Sequence, residues 1–166
     1  MTEKELVIIL DDYLLGWAFR DINRASEGQA KLGAFILGAC FIDAMAGFYK
    51  GITKEEAKRN SGRRFKEFVE KYLPEYYPER IWEDLRCGLV HSYAEGGTYE
   101  FTHSNNQFHF KKSSRGQTIL NLEDFLNDLR RAYGTLREDI LTNKDASFDR
   151  AKIRYESMGL MGSVSI

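Results

Sequence analysis

An 18-residue segment, Leu32–Tyr49, contains a single charged residue, Asp43, among apolar and small residues. Such a segment is either a membrane span or the central helix of a bundle. A carboxylate in the middle of a span is costly in lipid, and interspersed glycines and alanines dilute the hydrophobicity. We therefore expect a buried central helix over residues 29–50 and no membrane partner, and we expect Asp43 to need a polar partner.

Apolar residues recur every three or four positions in five other segments, which predicts five further helices. These segments are Lys4–Arg24, Ser61–Leu73, Glu79–Ser92, Asn121–Asn143 and Asp145–Met158. A capping-box pattern at Thr53–Glu56 predicts the start of a short additional helix. The sequence thus predicts an all-α, up-and-down bundle of five to six helices. We expect one domain over residues 1–158 and a mobile tail over residues 159–166.

Residues 98–112 change from helical spacing to alternation, which is typical of a strand. If Asn105 and Asn106 form a two-residue turn, Phe101 faces Phe110 across two antiparallel strands. The sequence therefore predicts one β-hairpin, over about residues 98–112, inserted in the bundle.

The charges nearly cancel, with 24 basic and 25 acidic residues and a formal net charge of -1. A nucleic-acid partner would therefore need a local basic patch. The densest basic run supplies four candidate nucleic-acid-binding residues: Arg59, Arg63, Arg64 and Lys66. The alternative is a solvated helix face on which these residues pair with acids such as Glu67.

The chain has two cysteines, Cys40 and Cys87, and both lie in apolar helical patterns. They form neither a disulfide framework nor a zinc motif, which favours a reducing, cytoplasmic setting. His103 and His109 fall on opposite faces of the predicted hairpin, so we expect no metal site. Because no glycine-rich phosphate loop occurs either, we expect no cofactor.

The run Arg86-Cys-Gly-Leu-Val-His91 carries a permanent cation and a titratable imidazole in one predicted helix. Arginine can hold a phosphate bidentately, and histidine moves protons near neutral pH. At about 100° per residue, both residues lie away from the apolar stripe of that helix, at the two margins of a semi-apolar second face. A symmetric dimer through this second face would bring two Arg86 and two His91 side chains into one cleft.

This arrangement resembles the HEPN superfamily, whose members are compact helical bundles with an Arg, four to six residues and a His late in a helix. The resemblance covers the bundle as a whole, with Arg86 and His91 as the motif residues. Cys87 stands where many members have a polar residue, often Asn. Asp43 and Glu83 are further accessory candidates, because a carboxylate near the motif can orient its side chains.

The resemblance implies metal-independent RNA cleavage by a homodimer, often in a toxin or antiphage system with an antitoxin or other protein partner. It implies that His91 acts as general base or acid and that Arg86 stabilises the charge on the phosphorane. Two alternatives stay open: a non-catalytic relative that binds RNA, a nucleotide or a protein, and an unrelated helical domain. A thiol nucleophile at Cys87, one helical turn from His91, is a more remote hypothesis.

Overall fold

The computed structural model describes residues 1–90 and 97–159, which contain six helices and two short strands. The first helix, α1, has three consecutive parts, Glu3–Leu10, Asp11–Phe19 and Arg20–Glu27. The remaining elements are α2 (Lys31–Lys50), α3 (Ser61–Tyr72), α4 (Pro78–Ile81 and Trp82–Leu89), β1 (Tyr99–Thr102), β2 (Thr118–Asn121), α5 (Leu122–Leu141) and α6 (Ser147–Met158). The prediction of a mainly helical bundle of five to six helices is confirmed.

Helix α2 is the core helix, as its apolar sequence predicts. It is the one described helix with the length and composition of a membrane span, at a mean hydropathy of 1.7, and 56% of that window is buried inside the protein. Gly38 lets α5 approach closely, because a Cβ added there would lie 2.5 Å from a ring carbon of Phe125. Buried residues of all six helices and both strands form one hydrophobic cluster around α2.

Two helices contain π-helical segments, in which the backbone bonds span five residues instead of four. These segments are Asp11–Phe19 in α1 and Trp82–Leu89 in α4. Each contains a glycine, Gly16 or Gly88, which eases the departure from α-helical geometry. Apolar spacing alone does not reveal this change, and a helical wheel drawn at 100° per residue does not apply to Trp82–Leu89.

The predicted hairpin over residues 98–112 is wrong, because β1 and β2 form a two-stranded parallel sheet. Tyr99 pairs with Thr118 and Thr102 pairs with Asn121. Asn106 does not sit in a two-residue turn, since it begins a short 3-10 turn that ends at Phe108.

An antiparallel contact does form, but later in the chain than predicted. The Phe110 N–H donates to the Ile119 carbonyl at 2.8 Å on the edge of β2 away from β1. The chain reverses at Ser113–Gly116, where the Gly116 N–H donates to the Ser113 carbonyl at 2.9 Å. Gly116 has a φ of 78°, a left-handed conformation that favours glycine. The chain therefore reverses at Gly116, which adopts the left-handed conformation, and not at Asn105 and Asn106 as predicted.

Several local predictions are confirmed. Thr53 and Glu56 form the predicted capping box, with side chain to backbone distances of 2.9 and 3.3 Å. Pro78 opens α4 at its first position. In α4 the stripe Ile81, Leu85 and Leu89 is fully buried, so the opposite side of this helix faces outward. Residues 160–166 of the predicted tail lie outside the described residues.

Candidate functional site around Arg86

Arg86 and Asp43 join the outward side of α4 to the middle of α2. The Arg86 Nε donates to the Asp43 Oδ2 at 2.8 Å, and the two side chains are 22% and 21% exposed. The guanidinium carbon of Arg86 lies 5.8 Å from the centre of the Trp82 ring. Asp43 therefore has the partner that its apolar surroundings require, and Arg86 is held from two sides.

The hydrogen bond through Nε leaves the two terminal nitrogens of Arg86 without a hydrogen bond to residues 1–90 or 97–159. Those two nitrogens form the edge of the guanidinium that can grip two oxygens of a phosphate. The Arg86 side chain is 22% exposed, so part of it contacts solvent. The geometry thus fits an arginine that is held in place by a carboxylate and can still bind an anion.

Asp43 has more positive charge around it than one arginine supplies. Burial lowers the pKa of Arg64 and also of Arg154, and the carboxylate of Asp43 opposes both shifts. Its second oxygen, Oδ1, is buried without a hydrogen-bond partner in the described residues. The charge of Asp43 therefore acts on Arg64 and Arg154 as well as on Arg86, its hydrogen-bond partner.

Arg64 and Arg154 hold the loop between α2 and α3. Arg64 is only 8% exposed, and its guanidinium donates to the Ala57 carbonyl at 2.7 Å and to the Arg59 carbonyl. Arg154 donates to the Ile52 and Thr53 carbonyls at 3.3 Å each. Arg64 was predicted as a nucleic-acid-binding residue, and in this conformation its charge is directed at backbone carbonyls inside the protein.

Two more of the four basic candidates are ion-paired on the surface. Arg63 contacts Glu67 at 2.8 Å, and Lys66 lies 3.7 Å from Glu79. Arg59 is exposed and has no ion pair among the residues that the structure describes. These ion pairs favour the alternative interpretation, a solvated helix face whose basic residues pair with acids, over a surface that binds a phosphate backbone.

The accessory candidates on α4 have different surroundings. Glu83 is exposed, and Cys87 is half-buried one position after Arg86. His91, the second residue of the predicted motif, lies outside the described residues.

Sequence reasoning missed Asp84, which is 1% exposed. Its Oδ2 accepts from the Thr98 N–H at 2.8 Å and from the Tyr99 N–H at 2.7 Å. These bonds join α4 to the start of β1, on either side of the stretch 91–96. The sequence gives no signal for this burial, because an acid in an amphipathic helix is usually solvated.

The histidines of the strand region are held apart. The His109 Nδ1 accepts from the Asn121 N–H at 3.1 Å, so its Nε2 carries the proton of the neutral ring and faces Asp128 at 3.5 Å. Tyr76 donates to the same Asp128 oxygen at 2.7 Å. His103 is exposed. The described residues contain no group of three or more His, Cys, Asp or Glu side chains that could hold a metal ion.

An open cavity of about 430 Å³ lies at α3 and the start of α4, away from Arg86. It mixes basic, acidic and apolar side chains, which are Arg63, Lys66, Glu67, Glu70, Pro74, Tyr76, Pro78 and Glu79. Arg63 pairs with Glu67 and Lys66 with Glu79, so the lining is not basic and does not favour a phosphate. It does not include the candidate site.

Comparison with known protein families, with curated proteins and with solved structures found no match. The resemblance to the HEPN superfamily therefore stays a prediction from Arg86, His91 and the helical bundle.

Proposed function

We propose that this protein is a HEPN-like, metal-independent endoribonuclease that acts as a homodimer. The observation that carries the proposal is the Arg86 guanidinium, held through Nε by Asp43 at 2.8 Å with its terminal nitrogens left for a phosphate. Preorganised cations of this kind contribute strongly to catalysis, because they need no reorganisation as charge develops.

In the proposed reaction the ribose 2′-hydroxyl attacks the adjacent phosphorus, and the bond to the 5′-oxygen breaks. One histidine of the dimer's two His91 side chains takes the proton of the 2′-hydroxyl, and an imidazolium gives a proton to the leaving 5′-oxygen. Arg86 stabilises the negative charge on the phosphorane oxygens. The products are a 2′,3′-cyclic phosphate and a 5′-hydroxyl, and DNA is not cut because it lacks the attacking group.

Asp43 acts in this proposal as the positioning residue for Arg86. A single carboxylate beside an arginine would weaken its pull on a phosphate, but this carboxylate is also within the field of Arg64 and Arg154. The proposed setting is cytoplasmic, with RNA as substrate and an antitoxin or other protein as a further partner in a toxin or antiphage system.

A non-catalytic scaffold of the same fold is the second candidate. It is favoured by the pairing of the surface cations, since Arg63 contacts Glu67 at 2.8 Å and Arg64 is directed inward. Such a protein would bind RNA, a nucleotide or a protein on the Arg86 face without cutting RNA.

The test is RNA cleavage in EDTA by the wild type, Arg86→Ala and His91→Ala. We expect Arg86→Ala to lower kcat/KM by about 10²–10³-fold and His91→Ala by about 10²–10⁴-fold. The matched control is Arg137→Ala, which removes another arginine held through Nε by an aspartate of a neighbouring helix, at 3.0 Å. Wild-type protein that binds RNA but releases no cyclic phosphate would favour the scaffold, and equal cleavage by all four proteins contradicts the proposed site.

A further inference from the structure

Three polar atoms of neighbouring helices are buried without a hydrogen-bond partner among the described residues. They are the Asp43 Oδ1 of α2, the Arg64 Nε of α3 and the Arg154 Nε of α6. The described residues contain six such side-chain atoms, so half of them belong to these three residues. A buried polar atom without a partner is costly, so a bound ion or water that supplies the partner is stabilising.

The three side chains share one neighbourhood between α2, α3 and α6. A Cβ added to Gly47, one helical turn after Asp43, would lie 3.1 Å from the Arg154 Nε. Arg64 and Arg154 donate their terminal nitrogens to carbonyls of one loop, between residues 52 and 59. The charge of Asp43 acts on both guanidinium groups, and the charge of Arg64 acts on Arg154. Each arginine is thus fixed by the loop and keeps its Nε–H for another partner.

The missing hydrogen bonds define the ligand. Two N–H groups each need an acceptor, and the Asp43 Oδ1 needs a donor, because Oδ2 already accepts from the Arg86 Nε. A chloride or sulfate ion accepts hydrogen bonds but cannot donate one. Hydrogen phosphate does both, because its P–OH group is a donor and its other oxygens are strong acceptors. A water molecule has the same two functions, so charge has to decide between them.

Charge favours the phosphate over water. Arg64 is only 8% exposed, and the carboxylate that acts on Arg64 and Arg154 is already paired with Arg86. Within the described residues, three guanidinium groups therefore share the charge of Asp43. A buried cation without a full counter-charge is costly, and an anion removes that cost whereas a water molecule does not.

We propose that a hydrogen phosphate ion binds between α2, α3 and α6, accepting from the Nε–H groups of Arg64 and Arg154 and donating to the Asp43 Oδ1. The ion links the three helices and offsets the positive charge behind Arg86. It is the free ion and not the end of a larger ester, because all three atoms that it contacts are buried. The inference goes beyond the proposed function, since this ion does not touch the terminal nitrogens of Arg86 and takes no part in RNA cleavage.

The first experiment measures ion binding to phosphate-free wild type by isothermal titration calorimetry, in chloride buffer at neutral pH and constant ionic strength. We expect saturable binding of inorganic phosphate, with one ion per chain. Sulfate should bind at least about 10-fold more weakly, because it cannot donate to the carboxylate and is repelled by it. Phosphate that does not bind, or sulfate that binds equally well, overturns the inference. Ribose 5-phosphate that binds as tightly as phosphate contradicts a free ion.

Removing one donor locates the ion. Arg154→Met should raise the dissociation constant for phosphate by about 10- to 100-fold, because a charge-assisted hydrogen bond is lost. The matched control is Arg150→Met, since Arg150 also lies on α6 and holds backbone carbonyls, but its Nε already donates to the Tyr49 carbonyl at 2.7 Å. The control should bind phosphate within about threefold of the wild type. If Arg154→Met binds phosphate as tightly as the wild type, the ion lies elsewhere, for example at Arg86, and the inference is wrong.

Asp43→Asn gives a readout that does not depend on how well Arg154→Met folds. The amide oxygen keeps the bond to the Arg86 Nε, so the amide nitrogen takes the place of Oδ1 and turns an acceptor into a donor. We expect this variant to bind sulfate at least as tightly as phosphate, which reverses the preference of the wild type. An unchanged preference for phosphate would show that Asp43 does not contact the ion, and the inference would then fail.

Discussion

Within residues 1–90 and 97–159, two aspartate–arginine pairs connect helices, and they differ in how completely the aspartate is satisfied. Both oxygens of Asp11 in α1 are within 3.1 Å of the Arg137 Nε, and one of them also accepts from the Tyr133 hydroxyl at 2.7 Å. Asp43 instead uses one oxygen for Arg86, and its other oxygen is buried without a partner in the described residues.

The difference separates a structural pair from a candidate functional one. A satisfied carboxylate between two helices contributes to stability, because its removal leaves the buried Tyr133 hydroxyl without an acceptor. A half-satisfied carboxylate adds less stability, because its second oxygen has left water without gaining a hydrogen-bond donor among the described residues. Both pairs involve a π-helical segment, since Asp11 begins one and Arg86 lies in the other. Irregular helix geometry alone therefore does not distinguish the two roles.

Replacing each aspartate with alanine tests this difference most strongly. We expect Asp43→Ala to lower kcat for RNA by about 10²-fold, because Arg86 loses the bond that positions it. Asp43→Asn should recover part of the rate, since an amide oxygen can still accept from Nε. Asp11→Ala should keep the rate but lower the free energy of unfolding by about 1–3 kcal/mol. Steady-state kinetics and urea unfolding measure the two effects, and equal changes in both variants would remove the distinction.

Much of the Asp43 pair followed from the sequence. A lone carboxylate in an apolar helix predicts a polar partner, and the buried stripe of Ile81, Leu85 and Leu89 turns Arg86 outward. The identity of the partner could not be predicted, because it depends on how α2 and α4 cross. Asp11 gave no such signal, since an acid in an amphipathic helix is usually solvated.

The parts that sequence analysis missed depend on backbone geometry and on distant contacts. The π-helical segments change the register of a helix without changing which residue types occur in it. The parallel pairing of β1 and β2 joins residues 19 positions apart, Tyr99 and Thr118, which local alternation cannot detect. Arg64 sits in a basic run that is typical of a surface, yet the carbonyls of a loop draw it inside.

Alkaline pH should affect the Asp11 pair and not the Asp43 pair. Burial and the hydrogen bond to Asp11 raise the pKa of Tyr133 well above its ordinary value of 10.0. The unfolded chain loses the Tyr133 proton near pH 10, whereas the folded protein keeps it to higher pH. The contribution of Tyr133 to the free energy of unfolding is therefore complete below pH 10 and decreases as the pH rises above 10. In urea titrations, Tyr133→Phe should reduce this loss, whereas Asp43→Asn should leave it unchanged. An identical loss in wild type and Tyr133→Phe would assign the alkaline sensitivity to other groups, such as Tyr72 or Tyr76.

The smallest effect is expected at Glu83, the other carboxylate predicted as an accessory residue. Glu83 is exposed and forms no ion pair within residues 1–90 and 97–159, so Glu83→Gln should change kcat/KM for RNA by about twofold or less. The matched substitution is Asp43→Asn, which also replaces one carboxylate with an amide but acts on the bond at 2.8 Å. If Glu83→Gln lowered kcat/KM as much as Asp43→Asn, the hydrogen bond to the Arg86 Nε would not explain the effect of Asp43. That result would contradict the proposal that Asp43 positions Arg86.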